Sequence, residues 1–266
     1  MHENEVSPRH PRATSLRIRA KLVHGFEIGV TSAFGLFAHG RGEAFDYLVG
    51  EVTTENAKHA INAAAARLLL GQNSVLSVNG NVAALVPIEL VKLAKVSGAK
   101  LEINLYHRSK ERETAIAKVL KNAGAKEIYG IDSSFHETIP EIHSERRVVD
   151  HRGLFISDVA FVPLEDGDRT EGLVRLGKQV ITVDLNPLSR TAQMANITIV
   201  DNIVRALPLL IKSVRKLRKE PEEHLQKILR DFNNQQNLAE AIHQINGRLS
   251  KLSQEQIHDN VGGTPE

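Results

Sequence analysis

Between residues 75 and 200, short apolar runs of strand length alternate with stretches of helical periodicity. This alternation restricts the fold more than any other feature of the chain. The apolar runs are 75–78, 101–105, a start at 128–129, then 158–162, 179–183 and 197–200. Pro87 opens a helix that Gly98 closes, and Ser109 caps another that carries Ala115, Ile116, Val119 and Leu120 and ends at Gly124. SGAKLEINL (97–105) and AGAKEIYGI (123–131) echo one another, each being a helix end, a glycine cap and a strand. Such units join a largely parallel sheet flanked by helices, so the expected class is α/β. Residues 132–153 are polar and weakly patterned and read as a loop excursion with a short helix. EDGDRTEGLVRLG (165–177) reads as a turn and a helix.

The flanks are helical. Pro8 and Pro11 make residues 1–13 an extended arm, and Leu16, Ala20, Val23 and Phe26 mark an amphipathic helix over 15–29. A helix over 55–70 follows a Thr53 or Thr54 cap. Its stripe of Ala57, Ile61, Ala64, Ala65 and Leu68 suits close packing against another helix. Asp201 is read as the cap of a helix bearing Ile203, Leu207, Leu210, Val214 and Leu217, with a kink at Pro208. Beyond Glu220 the chain turns to Glu, Gln, His and Asn, giving one or two exposed helices and ten final residues without fixed structure. The division expected is an N-terminal arm and helical segment (1–72), an α/β core (73–219) and a polar helical tail (220–266).

Bulk composition removes several function classes. There is no cysteine, hence no thiol nucleophile and no thiolate metal site. A net charge of +2, with much of the basic excess confined to KSVRKLRK (212–219), is no broad field for nucleic acid. Aromatics at 4% weaken base stacking. MHENEVSPRHPR lacks the apolar core of a signal peptide and no run approaches eighteen apolar residues, so a cytoplasmic protein with no membrane and no nucleic-acid partner is expected.

Ligands of parallel sheets bind beyond the carboxyl ends of the strands, which directs attention to the polar runs there. In DLNPLSRT (184–191), Asp184 can hold ribose hydroxyls, and Arg190 and Thr191 can bind oxyanions. A capped turn with a surface arginine reads the same way. Asp201 and Asn202 repeat this logic, with simple helix capping as the alternative. HGRGEAFDY (39–47) reads as a glycine-rich loop in which Gly40 and Gly42 let the backbone approach a ligand. There Arg41 clamps an anion, His39 serves as acid or base, and Glu43 orients Arg41 or binds an amine. A turn closed by its own salt bridge fits equally. NGN (79–81) offers neutral donors and acceptors without a phosphate-loop lysine. EDGDRTE, with Asp168, can bind magnesium or an ammonium, or can be an acidic helix start. Of Arg17 and Arg19, two apart on a helix, at most one faces a given ligand.

HPR…SLRIR, GLFAHGRGEAFDYL, SVNGNVAAL, VPLEDGDRTE and DLNPLSRTAQMANITIVDNIVRA, in this order over about residues 8–215, closely resemble the archaeal 4-phosphopantoate–β-alanine ligase (phosphopantothenate synthetase) family. The resemblance implies a Rossmann-like core, a homodimer, and ATP with Mg2+. It also implies a reaction of archaeal coenzyme A biosynthesis that joins 4-phosphopantoate and β-alanine through an acyl-adenylate, releasing diphosphate and AMP. It carries nucleotide contacts onto Arg19, Arg41, Asp184, Leu185, Asn186, Arg190, Thr191, Asn202 and Ile203. Arg19 and Arg41 then offset charge in catalysis, His39, Glu43 or Asp168 takes the ammonium proton, and no metal ligands are assigned. The family usually has an acid where this chain has Ala20, which leaves the orientation of Arg19 open. Two other readings stand beside it: a nucleotide- or sugar-phosphate enzyme of another class, such as an isomerase, and a nucleotide- or RNA-binding protein without activity.

Overall fold

In the computed structural model, which describes residues 6–164 and 167–261 and side chains as far as residue 255, seven short strands form two sheets. In chain order they are β1 (Ser74–Val78), β2 (Lys100–Ile103), β3 (His136–Thr138), β4 (Val148–Asp150), β5 (Val159–Phe161), β6 (Gln179–Val183) and β7 (Ile197–Ile199). Five of them pair in parallel in the order β2-β1-β5-β6-β7, with Leu76 opposite Leu101 on one side and Phe161 on the other. The strands are covered on both faces, which is why they read as unbroken apolar runs. Leu76, Val78, Ile103, Phe161 and Ile181 face a layer built by α3 (Glu55–Leu70), α5 (Pro87–Ser97) and α9 (Ile203–Leu217). Val75, Ala160, Val162 and Val180 face α7 (Gly167–Arg175) and the 132–156 excursion, represented by Leu173, Ile142, Val149 and Leu154. The expected α/β class with a Rossmann-like parallel sheet is the fold observed.

The expected boundaries of α3 and α5 hold. The alanine stripe of α3 is buried inside the chain, where α3 packs against α9, and is not a surface for a second molecule. α9 continues through Pro208. Its Lys212, Arg215 and Lys216, and Arg218 and Lys219 just beyond its end, are exposed while Val214 and Leu217 are buried, so the basic run is the solvated face and end of a core helix. Asn202, not Asp201, caps it: the side-chain Oδ1 of Asn202 accepts from Val204 N at 3.2 Å. The chain start is not extended where it is described. Residues 8–12 form turns into α1 (Ala13–Glu27).

HGRGEAFDY is not a loop. It lies inside α2 (Ala33–Val49), which Ser32 caps at its start and Gly50 closes with φ of 100°. The surrounding Leu, Ala, Phe and Glu residues favour helix strongly enough to absorb two glycines at about 1 kcal/mol each. A Cβ on Gly40 would meet open space, and one on Gly42 only Leu185 Cδ1 at 3.9 Å, so packing within the chain requires neither glycine. NGN likewise opens a helix, α4 (Gly80–Leu85), with Asn79 as its cap. Beyond residue 220, α10 (Glu222–Asp231) and α11 (Asn234–Val261) form, and α11 runs into the stretch expected to lack structure; 262–266 lie outside the described residues. α11 is not simply exposed. Asn234 Oδ1 accepts from Thr198 N and Asn237 Nδ2 donates to Thr198 O, each at 2.8 Å, closing the free edge of β7 with side-chain amides.

The excursion is fastened by one carboxylate. β3 and β4 pair antiparallel, where a loop with a short helix was expected. Glu102 of β2, 1% exposed, accepts from the backbone N–H groups of Asp150 and Leu154. A Cβ on Gly153 would stand 2.1 Å from its Oε2, so glycine is needed there. Burial pushes the Glu102 carboxyl from its usual 4.5 up to about 7. Between those values the folded chain holds a proton the unfolded chain has lost. The Glu102 contribution is therefore complete below 4.5 and disappears as pH rises through about 7. The melting-temperature difference between wild type and Glu102→Gln should shift against the wild type as pH increases across this window. A difference that stays constant from pH 4 to 8 would show that Glu102 does not titrate there.

Candidate functional site

The strand order reverses at β1: the chain leaves it for β2 on one side, and β5 enters on the other. Crevices at such reversals are where parallel sheets bind ligands. Asn79, directly after β1, ties the two sides together. Its Oδ1 accepts from Val82 N at 3.0 Å, and its Nδ2 donates to Pro163 O at 2.9 Å, just beyond β5. Asn81 Nδ2 donates to Gly35 O at 2.8 Å and so holds the start of α2 over this edge. The two asparagines, read from sequence as ligand groups, have these structural duties. A cleft of about 690 Å³ opens here between α2 and the loops after β1 and β2. Arg41, Arg112, Arg146 and His107 line it together with Phe34 and Tyr106. Among the described lining residues there is no carboxylate.

Helical spacing sorts the residues of α2. Phe34, Ala38 and Arg41, at i, i+4 and i+7, face the cleft. His39, Glu43 and Asp46 share another face, and both carboxylates are buried. Glu43 receives Arg19 Nε at 2.9 Å and Nη2 at 2.6 Å, and Ser15 Oγ at 2.6 Å. Burial acts to raise the Glu43 carboxyl, but hydrogen bonds from Arg19, Ser15 and Tyr47 outweigh it and hold it below the usual range. His39 is half-buried, and its Nε2 has no partner. Burial, against the nearby Glu43 charge, keeps its imidazole below the usual range and hence neutral.

Asp46 reaches the end of β7. It accepts from Asn202 Nδ2 at 2.8 Å and pairs with Arg205 at 2.5 Å; Arg205 also pairs with Asp201 at 2.7 Å, and Thr53 Oγ1 donates to Asp201 at 2.6 Å. Burial pushes the Asp201 carboxyl up, with Thr53 and Arg205 opposing it.

Beyond β6, Asp184 accepts from Asn186 N at 2.9 Å and from the Ser189 hydroxyl. Its carboxyl is raised by burial, against these bonds and the charge of Arg41. Leu185, Thr191 and Ile203 are buried, so their side chains belong to the core. Arg190 Nε donates to Glu171 at 3.0 Å and points along α7. Asp168 sits in the first turn of α7; Glu165 and Asp166 lie outside the described residues. Of the arginines named from sequence, only Arg41 lines the cleft, while Arg19 and Arg190 are each held by a glutamate.

Sequence reasoning missed Asp46, Arg205, Thr53, Arg112 and Arg146. Asp46 was inside the quoted motif and would have emerged had the motif been read with helical period. Arg205 stands one helical turn after Asp201. Arg146 lies in the unpatterned excursion and left no signal.

A family model described as phosphopantothenate/pantothenate synthetase matches residues 56–248. A 4-phosphopantoate–β-alanine ligase of Thermococcus kodakarensis is 52% identical over 249 residues, 93% of this chain and 95% of that protein. Proteins of the same name from Thermococcus onnurineus and Methanosarcina mazei are 50% and 48% identical, covering 94% and 92% of this chain and 95% and 96% of their own length.

Removing one partner of a buried ionic network leaves the others uncompensated, so Asp46→Ala should destabilise the fold by about 3 kcal/mol. Urea unfolding measures it. A loss no larger than that of an exposed surface substitution would mean that Arg205 and Asn202 are satisfied without Asp46.

Proposed function

The chain belongs to the phosphopantothenate/pantothenate synthetase family, and on that footing we propose that it is a 4-phosphopantoate–β-alanine ligase of coenzyme A biosynthesis. The observation that carries the reading within this molecule is the cleft at the strand-order reversal. It presents three arginines and a histidine and, among its described lining residues, no acid. Such a lining suits joined anions, and the substrates are a phosphorylated carboxylate and ATP.

In the first step the carboxylate of 4-phosphopantoate attacks the α-phosphorus of ATP. The new C–O–P bond forms as the bond to the β-phosphate breaks, and diphosphate leaves. In the second, the amine of β-alanine attacks the carbonyl carbon of the acyl-adenylate, AMP departs with the bonding pair, and the nitrogen loses a proton. The chain supplies alignment and charge. Arg41 offsets charge in the cleft. The ends of β6 and β7 take the nucleotide, with Asp184 and Asn186 on the ribose side and Asn202, fixed by Asp46, beside them. Leu185 and Ile203 support these loops from below. Arg19, Arg190 and Thr191 contribute at the margin, the two arginines in orientations set by Glu43 and Glu171.

Among the described residues no group of three or more His, Asp or Glu side chains could hold a metal ion. The described residues therefore do not form a protein cage for Mg2+, and no step is assigned to it; such ions commonly travel on the phosphates of the nucleotide. Glu43, held anionic by Arg19, is a weak proton acceptor; Asp168 and His39 both lie outside the cleft lining, so position does not separate them. His39, neutral through the neutral range, is the better base. The homodimer fits Val23 and Phe26 of α1, which stay exposed in the single chain. A single-chain mass in light scattering would remove it.

Incubation with ATP, Mg2+, β-alanine and 4-phosphopantoate should give 4-phosphopantothenate, AMP and diphosphate by mass spectrometry. ADP and phosphate would replace the acyl-adenylate with an acyl phosphate, and no product would end the ligase reading. His39 makes a separate prediction about pH. Because its imidazole lies below the ordinary value of about 6.5, β-alanine-dependent turnover should fall only on the acid side of that value, and His39→Gln should abolish this limb. An unchanged acid limb in the variant would exclude His39 as the base.

A further inference from the structure

Among the described residues, Arg205 is the one arginine shared by two buried carboxylates. Its Nη2 donates to Asp46 Oδ1 at 2.5 Å and its Nη1 to Asp46 Oδ2 at 3.1 Å, while its Nε donates to Asp201 at 2.9 Å. Burial acts against the charge, yet the bonds to the two acids outweigh it and hold the guanidinium above the usual arginine range. The same acids grip Asn202 at two points. Its backbone N donates to Asp201 at 2.7 Å, and its Nδ2 donates to Asp46 at 2.8 Å. Arg205 itself is not among the residues that line the cleft.

The two acids belong to different parts of the fold. Asp46 is on α2, and Asp201 follows β7 at the edge of the sheet. Asp46 comes five residues after Arg41, so it lies about 7.5 Å along the helix axis from it and roughly 140° around the helix. One side of α2 thus delivers Arg41 to the cleft, and another is pinned to the end of β7. The remaining ties of α2 lead elsewhere. Glu43 joins it to Arg19 of α1, and Asn81 holds its start through Gly35 O. The placement of Arg41 relative to the end of β7 therefore runs through Asp46, by one bond to Asn202 and two to Arg205.

We propose that Arg205 is a positioning residue for the adenylation step: by clamping Asp46 to Asp201 it aligns Arg41 and the cleft with the nucleotide at the end of β7. The inference rests on the ligase reading. Attack of the substrate carboxylate on the α-phosphorus needs the two ligands in line, and their sites lie on separate elements that this clamp joins. Arg205 touches neither ligand site, and Asn202 bonds both acids directly, so each substrate still binds alone when the arginine is changed. Mutual alignment is what is lost. A displacement of about 1 Å caused from outside the reacting centre costs on the order of 100-fold in rate.

Exchange of labelled diphosphate into ATP, with 4-phosphopantoate present and β-alanine absent, isolates this step in wild type, Arg205→Lys, Asp46→Asn and the double variant. Lysine keeps the charge but has a single nitrogen in place of a guanidinium that donates from Nε, Nη1 and Nη2. Arg205→Lys should lower kcat about 10- to 100-fold, while KM for ATP and for 4-phosphopantoate changes by less than about threefold. The double variant should be no slower than the slower single one, because the two residues act as one unit. A purely structural role would lower the melting temperature and leave kcat per folded molecule unchanged, and that result would overturn the proposal. A raised KM for ATP at constant kcat would overturn it too. Hydrogen–deuterium exchange gives a readout without turnover. Faster exchange over residues 41–49 in Arg205→Lys, with β1 and β2 unchanged, supports the clamp, and unaltered exchange there rejects it. Wild type that incorporates no labelled diphosphate would end the ligase reading and the assignment to this step, whatever the deuterium result says of the clamp.

Discussion

A helix that carries two carboxylates on its inner face can lie across the end of a parallel sheet only if both are paired, and the site depends on that pairing. Asp46 is the decisive one, because it joins α2 to Asn202 and Arg205 at the end of β7. Arg205 stands between Asp46 and Asp201, so one cation satisfies two buried anions, and Thr53 completes the hydrogen bonding of the second. An unpaired charge at this depth would cost several kcal/mol. At the other end, Asn81 binds the Gly35 carbonyl and fixes the start of the helix. The cleft wall is therefore rigidly placed although it is a helix lying outside the sheet.

The same placement segregates charge. Acids of α2 point away from the cleft and are neutralised by Arg19 and Arg205, while Arg41 points into it. The loops after β1 and β2 add Asn79 with the buried tie to Pro163, and then His107, with Arg112 from the start of the helix that follows. Positive charge accumulates in the cleft because every nearby described acid is committed elsewhere. This raises the local concentration of anionic substrates and lowers the cost of bringing two of them together.

The sheet was legible because each strand is buried on both faces and bounded by a glycine or a cap, so apolar runs and punctuation coincide, as at Gly98 and Gly124. The polar loops at the strand ends were legible for a related reason, since Asp184 and Asn202 lie within three residues of the ends of β6 and β7. HGRGEAFDY misled because two glycines and several charges look like a turn, whereas the deciding information lay outside the motif, in the Ser32 cap and the Gly50 terminator. Arg146 was not legible at all. Its position depends on Glu102 gripping the backbone of the excursion 48 residues later in the chain, a long-range contact without local pattern. The two helices of the tail were expected, but their contact with β7 was not, because Asn234 and Asn237 work as substitutes for a neighbouring strand and not through any periodicity of their own.

Ala20 shows how such long-range contacts alter the meaning of a sequence departure. The resemblance implied an acid where this chain has an alanine, and the sequence suggested an arginine left without its guide. Successive residues on a helix diverge by about 100°. On α1 this sends Ala20 into the core while Arg19 emerges toward α2. An acid at position 20 of this structure would be buried on the wrong side of the helix from the Arg19 guanidinium. Glu43 already grips that group through both Nε and Nη2, with Ser15 supporting the carboxylate. The orientation of Arg19 is thus a property of the α1–α2 contact. The alanine at position 20 leaves that buried side of α1 uncharged without releasing the arginine.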